Sequence, residues 1–367
     1  MRFDMYYRKR LERIGAFLLL AGLFLVATGC DLDITNPNNA SEEQVLTTPE
    51  GIKALAVGMQ EFYAATTLET MILTPGITSR EVAINTTFAN LIELEDGGTA
   101  LPNTNGNVLQ VWSRNYRVVG MAEQLIANTP NVNLDPGTRS GIEALARLHK
   151  AMALGNLALS FEQAMLNTTL DGTAPFVSRQ EVFAEAIRLL GEALGLLDAT
   201  PVSSEFNSEV KGSGLDLRNT INAYGARYNL FAGNYQAAIS AANAVDASAT
   251  STFVYSDQSQ NPIYNAVIVA EDYAPRDLFG LMATNADDAR LAFYMVADTL
   301  VSTPNGYAIN DIAGFFTTAA SPIPMYLPGE LALIRAEAHV RLGNLSDAVA
   351  AIDAVRTKTA ADDPFGI

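Results

Sequence analysis

A single cysteine, Cys30, in 367 residues leaves no partner for an internal disulfide. The only histidines, His149 and His339, lack the cysteine or acidic neighbours that zinc sites place at short spacing. No glycine-rich phosphate loop and no nucleophile elbow occurs, and no cofactor is implied. Basic residues are scarce: 23 Lys and Arg stand against 40 Asp and Glu, for a net charge of −17. That surface repels nucleic acid and anionic headgroups, so neither is an expected partner. Charged residues of both signs make up only 17% of the chain, whereas 49% is apolar, enough for a substantial core. These absences point to a protein that binds or holds something rather than an enzyme. A glycosidase pair of carboxylates on separate loops leaves no local signature, so a glycoside hydrolase of the envelope is the enzymatic alternative.

The first 29 residues read as a leader. Arg2, Arg8, Lys9, Arg10 and Arg13 precede an apolar run over 14–27, too short for a secure membrane span. The run ends in Ala27-Thr28-Gly29-Cys30, small residues ahead of the lone cysteine. This resembles a bacterial lipobox, which implies cleavage before Cys30 and lipid attachment there. Ala27 departs from the Leu or Val usual at that position. The leader carries five positive and two negative charges, so the remainder carries −20. Residues 30–47, beginning DLDITNPNNASEEQ from Asp31, are polar and aperiodic, as in a tether.

From residue 48 onward helical spacing dominates. Thr48-Pro49-Glu50 is a helix start, and that helix is expected to reach about Ala65. Residues 66–106 are rich in Thr, Asn and Gly and predict a long irregular insertion. Helices follow over 108–129, 141–166 and 178–198, the last opening with the capping-box spacing Ser178-Arg179-Gln180-Glu181. Trp112 falls on the apolar face of the first of these. Two stretches then share one pattern: Ala226–Val245 and Pro328–Lys358, each two helical arms joined at Gly-Asn, Gly233-Asn234 and Gly343-Asn344. The glycine suits a left-handed helix end, and Asn344 is a candidate cap for the second arm. Such pairs are tetratricopeptide-like, but 110 residues separate the two turns, which opposes a tandem array. The interval 248–325 is a second insertion, dense in Tyr and Phe, with short-strand and turn signals. The fold class is therefore mainly α, with helical pairs as scaffold and irregular or short-strand insertions, in one domain over 48–367.

Several stretches together resemble the SusD/RagB family of outer-membrane nutrient-binding lipoproteins. They are CDLDITNPN at 30–38, VWSRNYRVVGMAEQLI at 111–126, LHKAMALGNLALSFEQA at 148–164, SRQEVFAEAIRLLGEAL at 178–194 and PGELALIRAEAHVRLGNLSDAVAAIDAVR at 328–356. Glu330, the run Arg335 to Ala338, Gly343 and Arg356 carry the likeness most specifically. The resemblance implies surface capture of an oligosaccharide or related nutrient, on a lipid-anchored protein seated over a TonB-dependent, SusC-like transporter barrel. It also implies a further C-terminal section, with an Arg/Glu-rich helix and a Pro-Ile-Pro ending, that the chain to Ile367 does not contain.

A pyranose offers apolar faces ringed by hydroxyls, so aromatic rings with Asn, Asp and Arg at their edges suit it. The insertions supply Arg80, Phe88, Asn90 and Asn103, then Tyr255, Asp257, Tyr264, Asn265 and Tyr307. Arg80, Phe88, Tyr255, Tyr264 and Tyr307 are the candidate ligand residues. Glu337, inside a helical run, reads as structural. The alternative to nutrient capture is a lipid-anchored helical scaffold for envelope protein assembly.

Overall fold

In the computed structural model the described residues are 42–169, 171–277 and 293–366. The leader, Cys30, Phe279 and most of the tether lie outside them. Among the described residues no helix is long and apolar enough to cross a membrane.

Helix α1 (Glu42–Thr47) occupies the end of the segment that composition alone assigns to the tether. Helix α2 (Pro49–Phe62) starts as its sequence dictates: Thr48 Oγ1 accepts from the Gly51 amide at 3.1 Å, and Pro49 stands in the first turn. It buries Ile52, Ala56 and Met59, one stripe at helical spacing. The helix does not stop near residue 65. It widens into a π-helix over Tyr63–Thr67 and runs on as α3 (Leu68–Thr78). No Gly or Pro lies between Met59 and Leu73 to end it, and Tyr63, Thr67, Thr70 and Leu73 continue the buried side. Much of 66–106 is thus ordered structure rather than an irregular insertion: α3, strand β1 (Val82–Ile84) and α4 (Ala89–Asp96).

The centre of the fold is α6 (Pro136–Ser160), packed between α5 (Gly106–Asn128) and α7 (Arg179–Ala199). Asp135 caps α6 by accepting from the Gly137 and Thr138 amides, both at 3.0 Å. From Gly141 to Ala158 almost every position of α6 is buried, so this helix is enclosed on all sides where its neighbours are buried on one. Its buried cation, Lys150, donates to Glu123 at 2.9 Å and Asn167 at 2.8 Å. The capping box at Ser178 and Glu181 forms as its spacing predicts, after a short hairpin of β2 (Gln163–Met165) and β3 (Phe176–Ser178).

Two helical hairpins complete the stack: α8 (Leu217–Phe231) with α9 (Tyr235–Asn243), and α10 (Pro328–Arg341) with α11 (Leu345–Arg356). Gly233 and Gly343 take φ of +82° and +81°, the left-handed conformation expected of them. Asn344 does not cap α11 with its side chain. Its backbone amide instead closes the preceding helix on the His339 carbonyl at 2.9 Å, as Asn234 does on Asn229 at 2.8 Å. The 110-residue separation is a matter of sequence only, because α9 packs directly against α10. The fold is mainly α and tetratricopeptide-like, and the two similar pairs are neighbours in it.

The interval between them leaves and re-enters the stack at one point, where β4 (Thr252–Phe253) pairs antiparallel with β8 (Ile323–Pro324). Within it, Pro262–Tyr264 and Asn265–Val269 are helical rather than extended, because Asn261 caps them through the Ile263 and Tyr264 amides. Strand β5 (Tyr273–Pro275) and the hairpin of β6 (Met295–Ser302) and β7 (Ala308–Ile312) follow, the hairpin turning at Gly306 with φ +80°.

Candidate ligand-binding site

Two parts of the chain about which the sequence says little come together through backbone pairing. Strand β1 pairs antiparallel with β5, in register Val82↔Pro275, Ala83↔Ala274 and Ile84↔Tyr273. Arg276, just beyond β5, bridges to Ile309 of β7, so the β6–β7 hairpin lies alongside. A buried carboxylate locks the corner. Glu95 accepts from the Ile84 amide at 2.8 Å and from the Asn305 side-chain amide, tying α4 to β1 and to the hairpin turn.

This corner presents Arg80, Tyr307 and Arg276. Arg80 Nη1 lies 3.2 Å from the Tyr307 hydroxyl, to which it donates. The Arg276 guanidinium sits over the Tyr307 ring, its carbon 4.1 Å from the centroid, in cation–π geometry. Tyr307 also packs against Ala83, Ala274 and Ile309. Arg80 occupies the residue after the cap of α3 with φ +68°, while the amide of Glu81 returns to the Gly76 carbonyl at 3.0 Å. That is the closing position of a helix where glycine is the usual residue. An L-residue there costs about 1–2 kcal/mol, and strain of this kind collects at functional positions.

Of the five residues proposed from sequence, Arg80 and Tyr307 are in direct contact. Phe88 stands 56% exposed at the start of α4. Tyr264 is half-buried on its helical turn. Tyr255 is in the core, 6% exposed, its hydroxyl donating to the Ala64 carbonyl at 3.1 Å, which makes it a packing residue rather than an open sugar contact. Asn90 spends its carbonyl on the side chains of Asn105 and Asn107. Asn103 and Asp257 are exposed, and Asn265 is half-buried. Arg276 and Glu95 escape sequence reasoning, since nothing near either marks it until β1 pairs with β5.

Two clefts lie elsewhere. One of about 600 Å³ is bounded by the connection over 201–218 and by β4, with Phe206, Lys211, Asp216 and Arg218 on its walls. The other, about 380 Å³, is lined by Gln60, Glu61, His149, Phe253 and Tyr255. His149 is 1% exposed, edge-on to Tyr63 at 5.7 Å. Burial pushes its pKa down from 6.5 to about 4, so it is neutral; Nδ1 carries the proton that goes to the Leu145 carbonyl at 3.0 Å. Trp112 packs in a partly exposed cluster with Tyr116, Phe161 and Phe176, centroids 4.7, 5.1 and 5.7 Å away. Glu337 pairs with Arg341 on the surface of α10. Among the described residues no group of acids, histidines or cysteines is arranged to hold a metal.

No protein-family model and no curated protein matches the chain. Solved structures do. A SusD-like carbohydrate-binding protein from Bacteroides vulgatus superposes with a TM-score of 0.63 at 16% identity, over 85% of this chain and 75% of its own. A protein from the same species described as a putative sugar-binding protein gives 0.62 at 16%, over 85% and 78%. A laminarin-binding SusD-like protein gives 0.53 at 13%, over 83% and 84%.

Proposed function

We propose that this chain, which has the SusD-like fold, captures an oligosaccharide at the cell surface and delivers it to a TonB-dependent, SusC-like barrel in the outer membrane. The observation that carries the reading is the corner where β1 meets β5. On a scaffold otherwise given over to helix packing, it gathers a cluster of hydrogen-bond donors, an exposed Arg80 with the half-buried Arg276 and Tyr307 hydroxyl. The binding proteins of known structure that share the fold support a saccharide as ligand.

Lipid attachment at Cys30 supplies the anchor in this proposal. A lipid chain contributes ~0.8 kcal/mol of membrane affinity per buried methylene, so acylation holds a folded domain at the bilayer without a spanning helix. The helical pairs form the rigid body that meets the barrel, and the β1–β5 corner faces the sugar.

A glycan array followed by calorimetry on the chain starting after Cys30 tests capture. Binding that falls in Arg80→Ala and Tyr307→Phe, with melting unchanged, supports the site. Binding untouched by both moves it elsewhere, to the clefts or the Trp112 cluster. Metabolic labelling with a fatty acid, lost in Cys30→Ser, tests the anchor. Affinity purification from the native membrane that recovers no β-barrel transporter sinks the delivery step.

A further inference from the structure

We propose that the saccharide taken by the Arg80–Tyr307–Arg276 cluster is anionic, with a carboxylate or sulfate group held between the two guanidiniums. This rests on the sugar-binding reading above and narrows its ligand class.

Three observations lead there. Tyr307 is poorly placed as a stacking platform, because the Arg276 guanidinium covers one face of its ring at 4.1 Å and the residue packs on Ala83, Ala274 and Ile309. A pyranose needs a free aromatic face. The ring acts instead as a post that holds one guanidinium on its face and another at its hydroxyl, 3.2 Å from Arg80 Nη1.

Second, neither guanidinium has a carboxylate partner among the described residues. Arg117 and Arg139 show none there either, so what sets this pair apart is that both guanidiniums meet on one tyrosine. Arg114, Arg147, Arg188, Arg218 and Arg227 each hold a Glu or Asp. The acids that follow Arg80 and Arg276 in sequence do not turn back on them. Asp277 accepts from Asn310 at 3.3 Å, and Glu81 is exposed with its carbonyl bonded to the Arg276 amide at 2.9 Å. Two arginines thus meet at Tyr307, Arg80 giving one donor to its hydroxyl, and neither is held by a carboxylate among the described residues. A planar guanidinium fork matches a carboxylate or a sulfate with two parallel hydrogen bonds, which a neutral hydroxyl cannot offer.

Third, the position after the α3 cap favours glycine, yet arginine stands there at φ +68°. The strained backbone keeps one of the two cations at the corner. The chain's net negative charge works against a long polyanion at a distance. Salt screens that field beyond ~8–10 Å, whereas groups in direct contact are screened far less.

The test uses the full chain in detergent on an array with three arms: uronate-bearing oligosaccharides, the same oligosaccharides with their carboxyls reduced to alcohols, and sulfated oligosaccharides beside desulfated counterparts. The expected result is preference for a charged glycan over its neutral counterpart by about tenfold or more, weakened by added salt. A uronate or a sulfated best binder identifies which anion is read. In Arg276→Gln and in Arg80→Gln the charged and neutral affinities should converge, while Arg276→Lys keeps part of the preference. Neutral glycans bound as well as charged ones, or a preference that survives both glutamine variants, overturns the anionic ligand and leaves sugar capture standing. No binding in any arm overturns both.

Discussion

Arg227 on α8 and Glu330 on α10 form a two-point ion pair, Nε and Nη2 lying 2.7 and 2.9 Å from the two carboxylate oxygens across 103 residues of sequence. The same guanidinium lies over Tyr224 at 4.4 Å and donates to the Met325 carbonyl at 3.3 Å. The pair fastens the last helical hairpin to the one before it, on either side of the interval that loops out. Arg227→Met should lower stability by about 1.5–3 kcal/mol, the worth of charge-assisted hydrogen bonds in a partly buried setting. A double-mutant cycle with Glu330→Gln, read by denaturant midpoints, should return a clear coupling energy. Strict additivity would show that the hairpins are held by apolar packing alone.

Arg80→Gly should separate stability from binding. Glycine relieves the left-handed strain of about 1–2 kcal/mol, partly offset by the ~0.5–1 kcal/mol that a freer unfolded chain costs. The denaturant midpoint should hold or rise while saccharide affinity falls by about tenfold or more. A variant that is less stable than the parent would show that Arg80 is retained for packing.

The buried imidazole of His149 sets an acid limit. Its folded pKa of about 4 lies below the ordinary 6.5, so between those values the unfolded chain binds a proton that the folded one does not. Stability contributed by the neutral ring is fully present above pH 6.5 and is lost as pH falls toward 4, by on the order of 3 kcal/mol. In denaturant melts across that window, His149→Gln should show a shallower decline than the parent. Equal slopes would assign acid sensitivity to the carboxylates instead.

Gly155 of α6 lets the ring of Tyr228 on α8 pack directly against the helix backbone. A Cβ at this position would lie 2.0 Å from Cζ of Tyr228, whose hydroxyl donates to the Met152 carbonyl at 3.2 Å. Gly155→Ala should therefore cost about 1–3 kcal/mol through overpacking. Adding Tyr228→Leu should recover part of that loss, which calorimetric melting would reveal. A neutral Gly155→Ala would mean that α6 and α8 are free to move apart.

Sequence alone was most reliable where structure is local. The Thr48 and Ser178 helix starts, the left-handed turns at Gly233 and Gly343, and the likeness of the two hairpins all depend on neighbours within a few residues, so composition and spacing report them. The helix through Tyr63–Thr67 and the helical turn at Pro262–Tyr264 were less legible. There, burial of one side continues through residues whose propensities are neutral or favour strand, and packing overrides propensity.

The amino-acid sequence by itself determined the helical scaffold, because amphipathic period and capping are written along the chain, while the likeness to SusD-like proteins came from the resemblance of particular stretches. Tertiary structure alone decided the candidate site. Strands β1 and β5 are three residues each, too short to show any period, and they join through backbone hydrogen bonds that nearly any residue can make. Only that pairing brings Arg276 to Tyr307 and Arg80, and only packing against α2 and its π-helical continuation takes Tyr255 into the core. Which side chains meet across some 190 residues is a property of the folded surface, and no local pattern carries it.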